Sequence, residues 1–202
     1  MISLLGCAQQ NQTYENKQLQ SNEQVVSEIE QNKVEVQEPS KKLKTTTKTP
    51  SELMLKLSDL AEGYTTKEST PRLKSDVSEE GISWGWKDGY YVRYAKVNDD
   101  AFDLTVIKHW VSIYPIENVG KSLEQDPESN ENVTYEALPA PNFGDKSKAW
   151  RVTYTDEFGD SNRYYEIEFI RYDVYERIGM SGTTTDFEYL KTLTEIASAK
   201  IK

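Results

Sequence analysis

Few residues in this chain of 202 residues are able to do nucleophilic or metal chemistry. His109 is the only histidine and Cys7 is the only cysteine. Catalytic sites of the Ser-His-Asp or Cys-His kind require a histidine beside the nucleophile, and Cys7 lies far from His109 along the chain. Gly81-Ile82-Ser83-Trp84-Gly85 matches the letters Gly-x-Ser-x-Gly, but we expect no nucleophile elbow there, because Ser83 falls inside a predicted strand and not at a strand-to-helix turn. His109 shares its parity with Ile107 and Val111 in a predicted strand, so we expect a buried structural histidine.

Two glutamates are spaced for carboxylate chemistry. Glu166 and Glu168 alternate with Ile167 and Phe169, which places the two carboxylates on one face of a strand, roughly 7 Å apart. Glycosidases use a comparable separation. Because the apolar partners mark the buried face of the strand, we expect both glutamates to lie on its solvent face and to have no catalytic role.

Two acidic loops match a cation site only in part. Residues 126–132 alternate oxygen-bearing side chains as a calcium loop does, but Glu131 stands where an EF-hand needs glycine and Ala137 where it needs glutamate. Residues 156–160 form a second acidic loop of the same weak kind. A zinc site of the usual His/Cys type is excluded because the chain has too few ligands. The sequence therefore predicts no metal site and no cofactor.

Aromatic residues are the strongest binding signal in the sequence. They recur on consecutive predicted strands, and rings of the same parity on neighbouring strands would form a platform able to stack on a sugar, a ring or a protein surface. The alternative is that these rings pack under helices as part of the core. The candidate platform consists of Trp84, Trp86, Tyr90, Trp110 and Trp150.

Composition divides the chain into two parts. Residues 8–50 contain six Lys and six Glu, no Phe or Trp and a single Tyr, so they cannot bury enough apolar surface to offset the entropy of ordering. Residues 51–202 carry the whole net charge of -10 and all four Trp. We therefore expect a disordered polar tether over 8–50 and one acidic domain over 51–202, which would repel nucleic acid.

The extreme N-terminus resembles a targeting signal. The stretch Leu4-Leu5-Gly6-Cys7 resembles a prokaryotic lipobox, in which the cysteine thiol receives a diacylglycerol and becomes the mature N-terminus. Residues 1–7 would then be the remnant of a signal peptide whose start lies upstream, because only six uncharged residues precede Cys7. The expected partner is the membrane, and the expected location is its extracytoplasmic face. The alternative is a free cysteine in a cytoplasmic terminus.

Periodicity predicts the elements that position these residues. Apolar residues spaced at 3.6 indicate helices, and alternation indicates strands joined by hairpins. The prediction is an α+β fold, an antiparallel sheet with N-terminal, insertion and C-terminal helices packed mainly on one face. The predicted helices are 51–61, 116–125 and 186–201, and the predicted strands are 64–69, 82–86, 90–97, 103–114, 133–138, 149–155, 163–170 and 174–180.

A family resemblance follows from the second half of the chain. Gly144-Asp145-Lys146-Ser147 opens a strand, a hairpin follows through residues 163–180, and a helix closes the chain. This order resembles secreted prokaryotic lipoprotein domains of the PsbP-like and LpqN-like α/β sandwich type. The resemblance implies a fold and an extracytoplasmic location. It implies no catalytic residues, because the members of that group share none.

Three functions are consistent with these features. The first is a lipid-anchored extracytoplasmic domain that binds either another envelope protein or a small ligand without catalysis. The second is a surface hydrolase that uses carboxylates or a bound cation, which would require a cleft with converging acids of raised pKa. The third is a purely structural envelope lipoprotein. The lack of a catalytic histidine or cysteine motif favours the first and third.

Overall fold

The computed structural model describes residues 44–98, 103–156 and 158–202. Cys7 and residues 8–43 of the predicted tether lie outside this part of the chain. No helix among the described residues is long and apolar enough to cross a membrane. The strands are β1 (Thr65–Pro71), β2 (Asp88–Val97), β3 (Leu104–Ile113), β4 (Val133–Leu138), β5 (Lys146–Thr155), β6 (Ser161–Arg171) and β7 (Val174–Gly182). The helices are α1 (Pro50–Leu53), α2 (Glu79–Ser83) and α3 (Phe187–Lys200), with 3₁₀ turns at Leu57–Asp59, Lys74–Asp76 and Val119–Leu123.

The seven strands form one antiparallel sheet in the order β1-β2-β3-β7-β6-β5-β4. This confirms the predicted α+β fold with an antiparallel sheet. In four of the six strand pairs, the two strands follow each other in the sequence and are linked by a short connection. The central pair, β3–β7, brings together two distant parts of the sequence. The two halves of the chain therefore meet in the middle of the sheet.

One face of the sheet, here called the helix face, carries the main core. His109, Ile178 and Ile167 lie in register on β3, β7 and β6, and each is fully buried. Helix α3 covers them with Leu190, Leu193 and Ala197, which recur at helical spacing and are also fully buried. Its N-cap is Asp186, whose carboxylate accepts the backbone N–H of Glu188 at 2.9 Å. Each buried leucine contributes roughly 1.5–3 kcal/mol to folding.

The N-terminal helix is much shorter than predicted. In place of one helix over 51–61, α1 ends at Leu53, and Met54 has an extended backbone with ψ 146°. The reason is that Leu53, Met54 and Leu55 are all buried, at 0%, 4% and 1% exposed. Three consecutive side chains cannot all face inward from a helix. A short helix followed by an extended segment allows all three to enter the core on the helix face.

The last residues of the predicted tether contact the folded part of the chain. The backbone N–H of Thr46 donates to Asp173 Oδ1 at 2.7 Å, and Lys48 Nζ donates to the carbonyl of Lys200 at 2.6 Å. Pro50 is buried at the start of α1. The described chain is thus attached to the β6–β7 turn and to the C-terminus of α3 before the sheet begins.

A predicted strand over 82–86 is wrong. Residues in this region form α2, which begins after Ser78, whose Oγ accepts the Gly81 N–H at 3.2 Å. The Ser-Glu-Glu sequence at 78–80 is typical of a helix N-terminus. The alternation of aromatic residues at 82–86 instead led to the prediction of a strand. Asp88 and Gly89, which lie between the predicted strands 82–86 and 90–97, are the first two residues of β2.

The insertion element packs on the other side of the sheet from α1 and α3. In place of the predicted helix over 116–125 the structure has the 3₁₀ turn Val119–Leu123. Val119 and Leu123 are buried as predicted, but they contact Ile170 and Tyr114 on the face opposite the helix face. This second face, here called the open face, is covered at one end by α2 and the insertion. That end of the sheet departs from the expected packing on one face.

Candidate functional site

A single register row crosses the open face of the sheet. The strand pairing aligns one residue from each of five adjacent strands, β2, β3, β7, β6 and β5, and residues opposite each other in register point to the same face. Along the row, two aromatic residues are followed by a cation, an anion and a second cation. Its members are Tyr91, Trp110, Arg177, Glu168 and Lys148.

Neighbours in this row contact each other directly. The ring of Trp110 stacks on Tyr91 with centroids 5.1 Å apart, and the guanidinium carbon of Arg177 lies 5.1 Å from the Trp110 ring centroid on the other side. Arg177 Nη2 donates to Glu166 Oε2 at 2.7 Å, and Arg177 Nε lies 3.7 Å from Glu168 Oε1. A cation–π contact and charge-assisted hydrogen bonds from Nη2 to Glu166 therefore hold the Arg177 side chain in a fixed position.

The predicted solvent exposure of the two glutamates is wrong. The side chains of Glu166 and Glu168 are only 6% and 15% exposed. Burial raises the pKa of Glu168, the Arg177 charge opposes that rise, and the neighbouring Glu166 adds to it. Burial lowers the pKa of Arg177, but Glu166, Tyr175 and Glu168 together outweigh burial and hold that pKa above its ordinary value. Both glutamates do lie on the face opposite the core, as the alternation predicts. Arg177 and neighbouring residues nevertheless shield their side chains from water.

Two cavities flank the ridge that Trp110 and Arg177 form on the open face. The cavity here called the Tyr164 cavity has a volume of about 390 Å³ and is lined by Tyr164, Tyr154 and Lys108 besides the ridge. The cavity here called the Arg72 cavity, also about 390 Å³, lies on the α2 side of the ridge. Both volumes fall in the range of small-molecule sites. The open face is therefore concave on each side of one rigid cation–π pair.

The structure separates most of the predicted aromatic platform. Trp84 and Trp110 line the Arg72 cavity together. Trp86 packs with Trp84 in the small apolar cluster beside it. Trp150 is on the open face but is 6% exposed and meets Tyr135 edge-on with centroids 6.5 Å apart.

Tyr90 lies on the helix face, where it packs against the main core. It cannot share a surface with the tryptophans, because its parity along β2 is that of Val92 and not that of Tyr91. Binding by the predicted five-residue set stays a prediction, and the two members that the structure brings to one cavity are Trp84 and Trp110.

His109 is a fully buried residue, as its parity predicted. The backbone N–H of Leu55 donates to His109 Nδ1 at 3.1 Å, so Nδ1 carries no proton and the ring's N–H is on Nε2. That Nε2–H donates to Glu176 Oε2 at 3.0 Å. Both side chains are 0% exposed. Both imidazole nitrogens are therefore occupied inside the core, away from either cavity.

In the described part of the two acidic loops, no cluster of ligands for a cation forms. Within residues 44–98, 103–156 and 158–202, no three His, Cys, Asp or Glu side chains come close enough to hold a metal ion. Asp126 is instead paired with Lys148 at the end of the register row. Asp156 uses Oδ1 to accept the backbone N–H of Phe158 and of Asp160, both at 2.9 Å.

The residues that the sequence did not single out are Arg72 and Arg177. For Arg177 a signal existed. The tight turn at Tyr172-Asp173 pairs Arg171 with Val174, and counting back from a two-residue hairpin loop places Glu168 opposite Arg177. Arg72 follows the end of β1, and its approach to Ser112 on β3 depends on the path of the connection between β1 and β2, which no local pattern reveals.

Comparisons with known proteins identify the fold and no more. No protein-family model matches the chain, and no curated protein matches it. The resemblance to PsbP-like and LpqN-like domains therefore stays a prediction. A solved structure of a putative uncharacterised protein from Mycobacterium smegmatis is 8% identical, covers 71% of this chain and 92% of its own, and has a TM-score of 0.44.

The solved structure of the extracellular domain of PknH from Mycobacterium tuberculosis superposes with a TM-score of 0.52 at 9% identity. The match covers 74% of this chain and 93% of that one. At this identity the similarity concerns the arrangement of strands and helices, and a shared fold does not by itself carry a function. This chain is therefore similar in fold to an extracellular domain from a mycobacterium.

Proposed function

We propose that this chain is a non-catalytic binding protein, held on the extracytoplasmic face of a membrane by a lipid on Cys7. Its ligand or partner docks on the open face of the sheet. The observation that carries the proposal is the ridge of Trp110 and Arg177 between two cavities of about 390 Å³ each. On the helix face of the described sheet, residues of and beside α1 and α3 pack into the main core.

The placement of the chemically active side chains supports binding over catalysis. The single histidine donates and accepts inside the core. The carboxylates of Glu166 and Glu168 lie against Arg177, and Glu166 binds it through both oxygens. A general acid or base must reach the substrate. In this arrangement the carboxylates position the guanidinium and the ridge.

The anchor is supported by the N-terminal sequence and by the fold. Cys7 follows Leu4-Leu5-Gly6 at the spacing of a lipobox, and a polar segment separates it from the first described residues. The PknH domain of similar fold is an extracellular domain. A segment of this length and composition would hold a domain tens of ångströms from a membrane surface.

The anchor is tested by intact-mass spectrometry of the protein purified from its native membrane fraction. The gene is expressed with its upstream in-frame region, beside a Cys7→Ser control. The expected mass begins at Cys7 and includes a diacylglycerol, and the control lacks it. A protein that is found in the soluble fraction and starts at Met1 would refute the anchor.

Binding at the open face is tested by NMR of the ¹⁵N-labelled full chain during titration with fractionated envelope extract. The four tryptophan indole N–H signals serve as reporters. The expected result is a shift of the Trp84 and Trp110 signals with little change for Trp150, which is buried outside both cavities. Turnover of an extract component that Glu168→Gln abolishes would refute the non-catalytic assignment.

A further inference from the structure

Arg72 is a half-buried cation without a carboxylate partner in the described part of the chain. Its Nη1 donates to Ser112 Oγ at 2.8 Å and its Nη2 donates to the carbonyl of Asp76 at 2.6 Å. Both acceptors are uncharged. Arg177, Arg151 and Arg93 each pair with a glutamate, whereas Arg72, like Arg163 and Arg171, forms no such ion pair among the described residues. The guanidinium of Arg72 is therefore not neutralised by an ion pair, although the chain has a net charge of -10.

The unpaired guanidinium faces a cavity with aromatic walls. The Arg72 cavity is bounded by the indoles of Trp84 and Trp110, by Tyr114 and Tyr175, and by Arg177 across from Arg72. Burial lowers the pKa of Arg72 and the nearby tyrosines and Asp76 oppose that effect. The desolvation of Arg72 is thus only partly offset by the protein itself.

The one carboxylate that lines the Arg72 cavity, that of Asp76, accepts a hydrogen bond from the backbone and does not contact Arg72 through its oxygens. Asp76 Oδ2 accepts the backbone N–H of Leu73 at 2.7 Å and closes the 3₁₀ turn Lys74–Asp76. Arg177 in turn is bound through both oxygens of Glu166. Of the two arginines on the cavity wall, Arg72 is therefore the one without a carboxylate at ion-pair distance among the described residues.

We propose that the Arg72 cavity binds a small monocarboxylate that carries a flat ring or a compact apolar body, an inference that rests on the proposed binding function of the open face. The planar guanidinium fork matches a carboxylate, and a single unpaired cation matches a single negative charge better than the double charge of a phosphate. The indole and phenol walls match a ring. The long-range field of the acidic protein is screened within about 8 Å at physiological salt, so the local cation decides binding.

The test uses saturation-transfer NMR to detect ligand binding to the full chain, and it follows the indole N–H shifts of the tryptophans. The probes are benzoate and indole-3-acetate, each beside its neutral amide, with phenyl phosphate as the doubly charged arm. We expect both carboxylates to bind, to shift the Trp84 and Trp110 signals, and to bind more tightly than their amides and than phenyl phosphate.

The variants separate a role of Arg72 from a general effect of charge. Arg72→Gln is expected to weaken benzoate binding about tenfold to hundredfold, the usual effect of losing a charge-assisted hydrogen-bond pair. Arg93→Gln removes the same charge from the open face but lies outside the cavity, paired with Glu68 at 3.8 Å, and is expected to leave binding unchanged. Because Arg72 also holds Ser112, Arg72→Lys serves as a second variant that keeps the charge and loses the fork, with an intermediate loss.

The outcomes distinguish the ligand class from the binding function. Amides that bind as tightly as the carboxylates, or tighter binding of phenyl phosphate, overturn the monocarboxylate and leave binding at the open face standing. Equal benzoate affinity of wild type, Arg72→Gln and Arg72→Lys likewise overturns the role of Arg72. If neither these probes nor the envelope extract shifts the Trp84 and Trp110 signals, both the ligand class and the proposed function are overturned.

Discussion

The buried network of His109, Glu176 and Leu55 yields the sharpest stability prediction. Replacing His109 with leucine removes the acceptor of the Leu55 N–H and the donor to the Glu176 carboxyl, and all three groups are within the core. Oε1 of Glu176 has no hydrogen-bond partner among the described residues. His109→Leu therefore leaves that carboxyl with no partner at all.

The expected cost follows from three contributions. An unpaired buried N–H costs about 1–3 kcal/mol, and breaking a buried pair on one side costs about 3–5 kcal/mol. The larger apolar side chain returns about 1–3 kcal/mol. We expect His109→Leu to lower the free energy of unfolding by about 3–5 kcal/mol, a large part of the total for an ordinary domain.

A double-mutant cycle isolates the pair. In His109→Leu/Glu176→Leu the carboxyl is gone as well, so the remaining cost is mainly the unpaired Leu55 N–H. Replacing both members of a buried pair by apolar residues is often close to neutral. The double variant is therefore expected to be more stable than His109→Leu alone.

The assay is urea unfolding followed by tryptophan fluorescence. With a slope of about 2 kcal/mol per molar urea, a loss of 4 kcal/mol moves the midpoint by about 2 M. Lys108→Leu introduces the same side chain one position away, on the open face of β3, and is expected to change stability by less than about 0.5 kcal/mol. A loss below 1 kcal/mol for His109→Leu would refute the reasoning, as would a double variant that loses the sum of the two single losses.

Three further predictions concern other regions of the molecule. Asp173→Ala removes the acceptor of the Thr46 N–H, and is expected to speed amide hydrogen exchange at Thr46 while exchange in α3 stays unchanged; protection equal to wild type would contradict the contact. Burial raises the pKa of Glu168 above its ordinary value of 4.5, so the stability linked to its protonated form is present below pH 4.5 and is lost as the pH rises through the folded pKa. Glu168→Gln should therefore gain stability relative to wild type between pH 4 and pH 8 in urea unfolding, and a constant difference would show that the shift is absent. Leu53→Ala is expected to cost about 2–5 kcal/mol, since Leu53 is 0% exposed in the main core, and a loss below 1 kcal/mol would show that the segment before β1 contributes little to that core.

Strand positions were readable from the sequence wherever alternation was uninterrupted. The predicted strands 103–114 and 133–138 agree with β3 (Leu104–Ile113) and β4 (Val133–Leu138), and the parity of Ile107 correctly predicted a buried His109. Period-2 alternation is a local property, so it needs no knowledge of the neighbouring strands. The final helix was predicted for the same reason, from its 3.6-residue repeat.

The fold class, the strand faces and the acidic, aromatic character of the domain could be predicted from the sequence. The elements that cover each face, the burial of Glu166 and Glu168 and the approach of Arg72 to Ser112 depend on the tertiary structure. Arg72 and Ser112 are 40 residues apart and meet through the connection between β1 and β2, and Trp110 and Arg177 meet across the β3–β7 pairing. The physical reason is that side-chain periodicity shows which way a residue points, while its partners depend on non-local packing that no single segment encodes.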